Sequence, residues 1–518
     1  LSRLVAEWTE GGEAPAQAAV EELQRLAKRL SESEEAEGMR LGVAGPAMTS
    51  QTLERLFPPS LLRALLALAL LAGMAVFFLR RRVVPALAVG VLGPVVFGLS
   101  LGLYAALGFS MNPNTAVLAF LGAWAAVSWG VARTESGGGK LVVLVAWGCP
   151  LALAALLALG ATAGGGAGLV CLLVASLAAA VLASPPSPAL VGLHGRSVPG
   201  LALALVLVLV GGGLALQQAP GLDPSRMLAS SEEGGWPARV LGRAMGTVPM
   251  GYLVVDARGS SDRPFADPAN LAILREAQEE LQAEVGVRAA VSWSDFVAEI
   301  HARVAGVETG ALPSTRAAVE QYLLLFGRPD ETRVLVSTGL DLGLVLVRSR
   351  YGEGARLASL AEPKPRGLPV VALGGDAMVM MVAARSQSIR IALFGGLLLA
   401  LMALVLPLPA GSPGALRLLR FVGVAASLSC ALALSGVVEA ALTPTALFGA
   451  LAVGGLVGAS WSWNFRAALS TLGVGAASAC GLLASPVLAL RGLGLVLLAG
   501  CVVGWLLRLV VTRTQPLP

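Results

Sequence analysis

Along most of the chain, apolar residues run almost unbroken for about 17 to 25 positions between short polar breaks, the length that crosses a hydrocarbon core as a helix. These runs fall near 61–79, 83–107, 115–132, 141–160, 166–184, 198–216, 389–406, 421–438, 445–462, 467–484 and 488–507. Their order gives five spans, then one, then a long segment of different character, then five more. The pattern predicts about eleven transmembrane helices and excludes a compact soluble fold.

Residues 217–388 break this pattern with short alternating stretches and amphipathic ones, and read as α/β. Tyr252–Val255 reads as a strand. Asp267 reads as a helix cap with Pro268 at the first position and Leu271, Leu274, Ala277 and Leu281 on one face. Val287–Val291 reads as the return strand of a βαβ unit. Asp295 and Ser314 are expected to cap two further helices, the second holding Tyr322–Phe326. Arg333–Ser337 and Leu344–Val347 flank a Gly-containing turn and predict a hairpin. Pro369–Leu373 is expected to be the last strand before the membrane.

A repeat organises the whole. Gly45–Met48 precedes the first span as Gly375–Met378 precedes the seventh, and Asn114-Thr115-Ala116 opens the third as Pro444-Thr445-Ala446 opens the ninth; both pairs are offset by 330 (45 to 375, 115 to 445). The expected domains are 1–58, the end of a first outer domain; 59–184, five helices; 198–216, one helix; 217–388, a second outer domain; 389–508, five helices; and 509–518, a tail. A matching first half would need about one more helix and most of another outer domain before Leu1, twelve helices in all.

Composition agrees, at 56% hydrophobic, 13% charged and a mean hydropathy of +0.77, against roughly 25% charged in soluble domains. The net charge of +5 lies between apolar runs rather than on a nucleic-acid-binding face, so nucleic acid is not an expected partner. Cys149, Cys171, Cys430, Cys480 and Cys501 all fall inside apolar runs without CxxC spacing and read as small buried hydrophobes. His194 and His301 have no ligand cluster near them, so neither a metal nor a cofactor is expected.

Basic residues also orient the chain. Arg80–Arg82, Arg133, Lys140, Arg196, Arg417, Arg420, Arg466, Arg508 and Arg513 fall in alternate loops, read as cytoplasmic. The intervening loops at 112–114, 161–166, 439–443 and 485–486 carry no Lys or Arg. Residues 217–388 are then outside.

Two catalytic look-alikes dissolve on inspection. Gly98-Leu-Ser100-Leu-Gly102 matches a nucleophile elbow but lies mid-span with no histidine in reach. Ser136–Lys140 lacks the Ser or Thr and the preceding strand of a phosphate loop. Asp256, Asp262, Asp267 and Asp295 read as loop and cap residues, not paired catalytic acids. No enzyme is expected.

The tandem of one helix, a large outer domain and five helices resembles the RND (resistance-nodulation-division) superfamily, and its MMPL-type lipid and hydrophobe exporters in particular. The likeness is carried by the helix Asp267–Glu284 followed by Val285-Gly286-Val287 and Ser292, the strand and Gly at Val370–Gly375, and the Thr-led helix starts at Thr115 and Thr445. It implies a polytopic α-helical protein of two repeated halves with ferredoxin-like porter subdomains outside. It further implies a bacterial cytoplasmic (inner) membrane location with the large domain on the periplasmic side, and proton-driven export. The implied partners are membrane lipids or a hydrophobic small molecule, with a homo-oligomer or envelope proteins as protein partners.

The family's fourth helix in each half usually carries a Gly-x-Gly-x-Asp relay. Here the matching runs read Gly122–Gly130 (GAWAAVSWG) and Gly454–Ser462 (GGLVGASWS), and none of the eleven apolar runs holds an Asp or Glu in its interior. Ser128, Ser460, Ser462 and Asn464 are the polar residues at those positions, reading as helix-packing groups or a polar path. The helix around Ala123–Ser128 is expected to pack on that around Gly454–Ser460, with small residues and tryptophans in place of carboxylates. Two functions follow: an exporter of a lipid or hydrophobic compound, or a transport-inactive scaffold of the same architecture.

The orientation is testable. Impermeant thiol reagents applied from outside should label a cysteine placed near Ser261 and leave one near Gly138 untouched; the reverse pattern contradicts it.

Overall fold

The computed structural model describes residues 46–106, 113–136, 198–217, 219–220, 248–257, 261–284, 287–326, 335–337, 339–349, 371–374, 376–396, 414–439, 441–461 and 465–513, with Arg25, Met227, Val240 and Leu357 singly. In chain order the helices are α1 (Pro46–Arg80), α2 (Val83–Ala106), α3 (Pro113–Ser136), α4 (Val198–Leu216), α5 (Pro268–Gln282), α6 (Trp293–Ala305), α7 (Arg316–Phe326), α8 (Asp376–Arg390), α9 (Gly414–Glu439), α10 (Pro444–Ser460), α11 (Phe465–Leu483) and α12 (Leu488–Arg513). The strands are β1 (Ala219–Pro220), β2 (Val248–Asp256), β3 (Val287–Ser292), β4 (Leu342–Ser349), β5 (Val371–Gly374) and β6 (Ala441–Leu442). The chain divides into an α/β unit, 1–54 with 222–383, and a helical unit, 55–221 with 384–518. The expected spans at 141–160 and 166–184, most of 389–406, and Cys149, Cys171 and His194 lie outside the described residues.

Helix α1 shows how the helical unit is sorted. Its buried face is Leu61, Ala64, Leu65, Leu68, Ala72 and Val76, while Leu62, Leu66, Leu70, Met74 and Phe78 stand out at 52–72% exposure. Both faces are apolar, so lipid is the medium the exposed stripe suits. Three segments, Arg55–Phe78, Val83–Gly102 and Leu488–Val511, are long and apolar enough to cross a membrane; the other described helices of this unit hold shorter apolar stretches. Their full lengths, 17 residues in α10 to 26 in α9, still reach about 25 to 39 Å at 1.5 Å per residue.

Small residues set the helix spacing. A Cβ on Gly73 of α1 would lie 3.2 Å from the Ala86 carbonyl oxygen, and one on Gly90 of α2 would lie 3.1 Å from that of Ala69, so the two backbones touch. On α4, a Cβ at Gly211 would meet the Ser429 and Cys430 backbone of α9 at 2.8 Å. Gly500 and Gly504 of α12 face Val453 and Val457 of α10 at 2.6 and 2.7 Å, which makes those helices parallel. Gly475 of α11 meets Cys501 while Gly494 meets Leu482, so α11 and α12 run antiparallel. β1 and β6, the residues following α4 and α9, form a two-residue parallel pair, Ala219 with Ala441 and Pro220 with Leu442. At the α11–α12 turn, Arg491 donates Nε and Nη2 to the Ser485 carbonyl at 3.2 and 2.9 Å, tying a basic residue to a loop expected to lack one.

In the α/β unit, β3-β4-β2-β5 form one sheet, with β4 antiparallel to both β2 and β3. β2 and β3 are therefore parallel, joined by α5, with β4 inserted between them. Alternate β4 residues Val345 and Val347 and β2 residues Leu253 and Val255 bury against Phe265, Leu271, Leu274 and Leu281. Gly343 allows this approach: its Cβ would lie 2.9 Å from the Phe265 ring. The predicted hairpin is present as the Val336–Gly343 bridge.

Two caps differ from expectation. Asp267 does cap α5, accepting from Ala269 N at 3.0 Å, but α6 is capped by Ser292, with Asp295 at the third helical position completing a capping box. Before α7 it is Thr315, not Ser314, whose hydroxyl accepts, from Ala318 N. Serine and threonine neighbours give the sequence two equivalent choices; packing selects one. Gln278 of α5 donates to Ala290 O and Asp295 Oδ2 and accepts from Ser292 Oγ, at 3.1, 2.8 and 2.6 Å, so one amide binds α5, β3 and α6 together.

Replacing Gly343 by Val should push Phe265 and Leu274 off the sheet and destabilise the α/β unit by about 1–3 kcal/mol. Equilibrium unfolding followed through the buried Trp293 measures this, and an unchanged midpoint would show that the helix can move away without cost.

Candidate functional site

Helix α3 packs against α2, α10 and α11, and its Pro113 start and Ala-rich interior suit a helix enclosed on several sides. Val117–Trp124 is buried residue after residue. Trp124 reaches across to α11, where its Nε1 donates to the Gly475 carbonyl at 3.3 Å; Ser478 Oγ donates to the same oxygen at 2.9 Å. Where a Gly475 Cβ would stand, Trp124 Cζ2 and Cys501 Sγ are each 3.1 Å away and Leu456 Cδ2 is 3.5 Å. Four helices, α3, α10, α11 and α12, thus converge on one glycine. The expected meeting of the 123–128 and 454–460 helices is present as the α3–α10 contact, and an indole, a thiol and a leucine fill it.

One turn beyond this point on each helix stands a hydroxyl. Ser128 follows Trp124 by four residues, Ser460 follows Leu456 by four, and Thr471 precedes Gly475 by four on α11. All three residues are fully buried. Ser460 Oγ donates to its own helix at Val457 O, 2.6 Å, which is the packing role. Ser128 Oγ and Thr471 Oγ1 have no hydrogen-bond partner among the described residues. Ser128 and Thr471 each lie four residues along their own helix from the Trp124–Gly475 hydrogen bond. Sequence reasoning singled out Ser128 and Ser460 but passed over Thr471, whose signal was its spacing from Gly475. Ser462 and Asn464 lie outside the described residues.

Two arginines read as loop cations are instead buried within helices. Arg420 in α9 and Arg508 in α12 are each 1% exposed. The Arg508 guanidinium carbon lies 4.9 Å from the Trp461 ring centroid, a cation–π arrangement. Long aliphatic stems let such residues pack inward while the sequence shows only a charge beside a break.

The α/β unit offers no cluster of comparable kind among the described residues. His301 Nδ1 and the Tyr322 hydroxyl are 2.8 Å apart, joining α6 to α7. Arg303–Glu299 is an exposed and Arg316–Glu320 a half-exposed i,i+4 pair, at 2.7 and 2.9 Å. No group of three metal-ligating side chains occurs among the described residues.

No family model and no curated protein matches the chain. Solved structures similar in course include the hedgehog release protein Disp from the water bear Hypsibius dujardini, at 11% identity and TM-score 0.45, covering 90% of this chain and 72% of that one. A heavy metal efflux pump matches at 13% identity and TM-score 0.49, over 90% of this chain and 68% of that one. SecDF in its super-membrane-facing form matches at 14% and 0.43, and there this chain spans 88% of its own length but 61% of the other.

The unpartnered hydroxyls give a direct test. An unsatisfied buried polar group is a net cost, so Ser128→Ala and Thr471→Val should each leave thermal stability unchanged or raised, within about 1 kcal/mol. A clear loss in either would reveal a hydrogen-bond partner at that hydroxyl.

Proposed function

We propose that the chain is a membrane transporter of RND type, MMPL-like, that moves a lipid or other hydrophobic compound out of the bacterial cytoplasmic membrane. The observation that carries this reading is the order of elements: an α/β unit inserted between groups of apolar helices, in a chain whose helix starts recur. α1 and α8 begin 330 residues apart (46 to 376), α2 and α9 331 (83 to 414), and α3 and α10 331 (113 to 444). Two halves of one repeat account for that spacing. The strand order β3-β4-β2-β5 with a split βαβ is compatible with a ferredoxin-like subdomain and supports reading 217–388 as a porter domain.

Charge is segregated in the same way. Of 37 Lys and Arg and 32 Asp and Glu, the helical unit holds 16 and 2, leaving 21 and 30 in the α/β unit. A basic helical unit and an acidic α/β unit in one chain suit an anchored cytoplasmic face and a solvated outer one.

A specific observation favours the second reading, a transport-inactive scaffold. At the α3–α10 contact, where a relay would need carboxylates, the side chains are Trp124, Leu456 and hydroxyls, and a titratable group at membrane depth is what proton coupling requires.

Lipid movement in proteoliposomes separates the two. The transporter reading expects lipid extraction by the full chain, accelerated by an imposed proton gradient if a relay exists elsewhere. Absence of any movement, with or without the gradient, would leave the scaffold.

A further inference from the structure

Helix α8 continues past Arg390 through a π turn, Ile391–Gly395, and returns to α geometry at Gly396. The backbone on either side is ordinary helix, with Arg390 at φ −63°, ψ −44° and Gly396 at φ −62°, ψ −46°. The turn is therefore an extra residue held inside a continuous helix and not a frayed end. Before it, Met381, Ala384, Ser388 and Ile391 are buried at helical spacing, one stripe of an α-helix, and the π turn itself packs against α10.

From Ile391 the stripe falls next on Gly395 in α geometry and one residue later, on Gly396, across a π turn. Both are glycines, so neither register has to bury or expel a side chain there. Leu397-Leu398-Leu399 follow, and a one-residue shift along that run exchanges like for like. A glycine pair also weakens the α geometry that would otherwise close the turn. The first repeat supplies the contrast. At the offset of 330 (61 to 391), Leu61 is buried as Ile391 is, and the two positions that match the glycines are Leu65, 4% exposed, and Leu66, 52% exposed. Only one register suits that pair, and α1 is α-helical throughout.

We propose that the π turn of α8 is a register switch. Closing it to α geometry while Ile391 stays on α10 turns Gly396 and the chain after it by about 100° relative to α8 and shifts them by about 1.5 Å along the axis. The glycine at both stripe positions brings the two registers close in energy, which is the condition for a two-state element. The switch stands whether or not the chain moves a substrate. In a transporter it supplies two arrangements beside α10 without calling on a titratable group.

The test is solid-state NMR of the full chain in frozen lipid bilayers, where the two registers do not interchange during the measurement. Isotope labels on phenylalanine carbonyls and glycine amides select the four Phe-Gly pairs of the sequence, which begin at Phe97, Phe326, Phe394 and Phe448. Phe394-Gly395 is assigned by its loss in Phe394→Leu. That pair should give two signals, because the Gly395 N–H changes carbonyl partner between registers, with the weaker at about a tenth of the total or more. Phe448-Gly449, inside the regular helix α10, should give one. Deleting Ala392, an exposed residue of the turn, removes the extra residue and should leave one signal for the Phe394-Gly395 pair. A single signal from this pair in the parent, doubling shared with Phe448-Gly449, or a deletion variant that keeps both signals would overturn the proposal. If the deletion variant does not fold, the parent's two pairs decide alone.

Discussion

The helical unit depends on close approach at small residues in a medium that gives apolar surface no reason to leave it. Lipid tails are as apolar as leucine, so helices gain little by hiding side chains from them and must gain by packing and by hydrogen bonds between helices. That is why Gly73 and Gly90 bring two backbones together, why Gly211 sits on the α9 backbone, and why Gly475 receives side chains from three other helices. The Trp124 N–H to the Gly475 carbonyl then adds a directional bond between α3 and α11.

A second constraint follows from the same medium. With two acids for sixteen basic residues in the unit, carboxylates are too few to pair with every arginine, and backbone carbonyls and aromatic faces take part. Arg491 turns to a carbonyl at a helix turn, and Arg508 covers an indole. Among the described residues the α3–α10 contact holds hydroxyls, Leu456 and Trp124, a composition that suits tight packing. The α/β unit obeys ordinary aqueous rules instead: an alternating sheet, a capped amphipathic helix and a satisfied amide network around Gln278.

Much of this was legible in the sequence because each feature has a local signature. Span 198–216 reappears as α4 residue for residue, since nothing but apolar length decides it. β2, β3 and β5 lie over their expected stretches because alternation and flanking turns are local. Ser292 and Thr315 displaced the expected caps because neighbouring hydroxyl or carboxylate residues compete for the same role, and tertiary packing chooses. The burial of Arg420 and Arg508 was illegible for a different reason. A basic residue beside a break looks like a loop cation, and only the neighbouring helix carrying Trp461 shows otherwise. Thr471 was missed likewise: its spacing from Gly475 gains meaning only through the Trp124–Gly475 hydrogen bond, a contact between helices more than 300 residues apart in the chain.

The central claim is that the seam between α3, α10 and α11 is dry and packed rather than a polar path. Substituting Ser128→Cys in a chain cleared of its own cysteines, and offering a small charged thiol reagent from each side of the membrane, tests it directly. The account predicts that the thiol stays unmodified from both sides while a cysteine at the exposed Ser261 loop reacts at once; modification at 128 from either side would show water reaching the seam and contradict it.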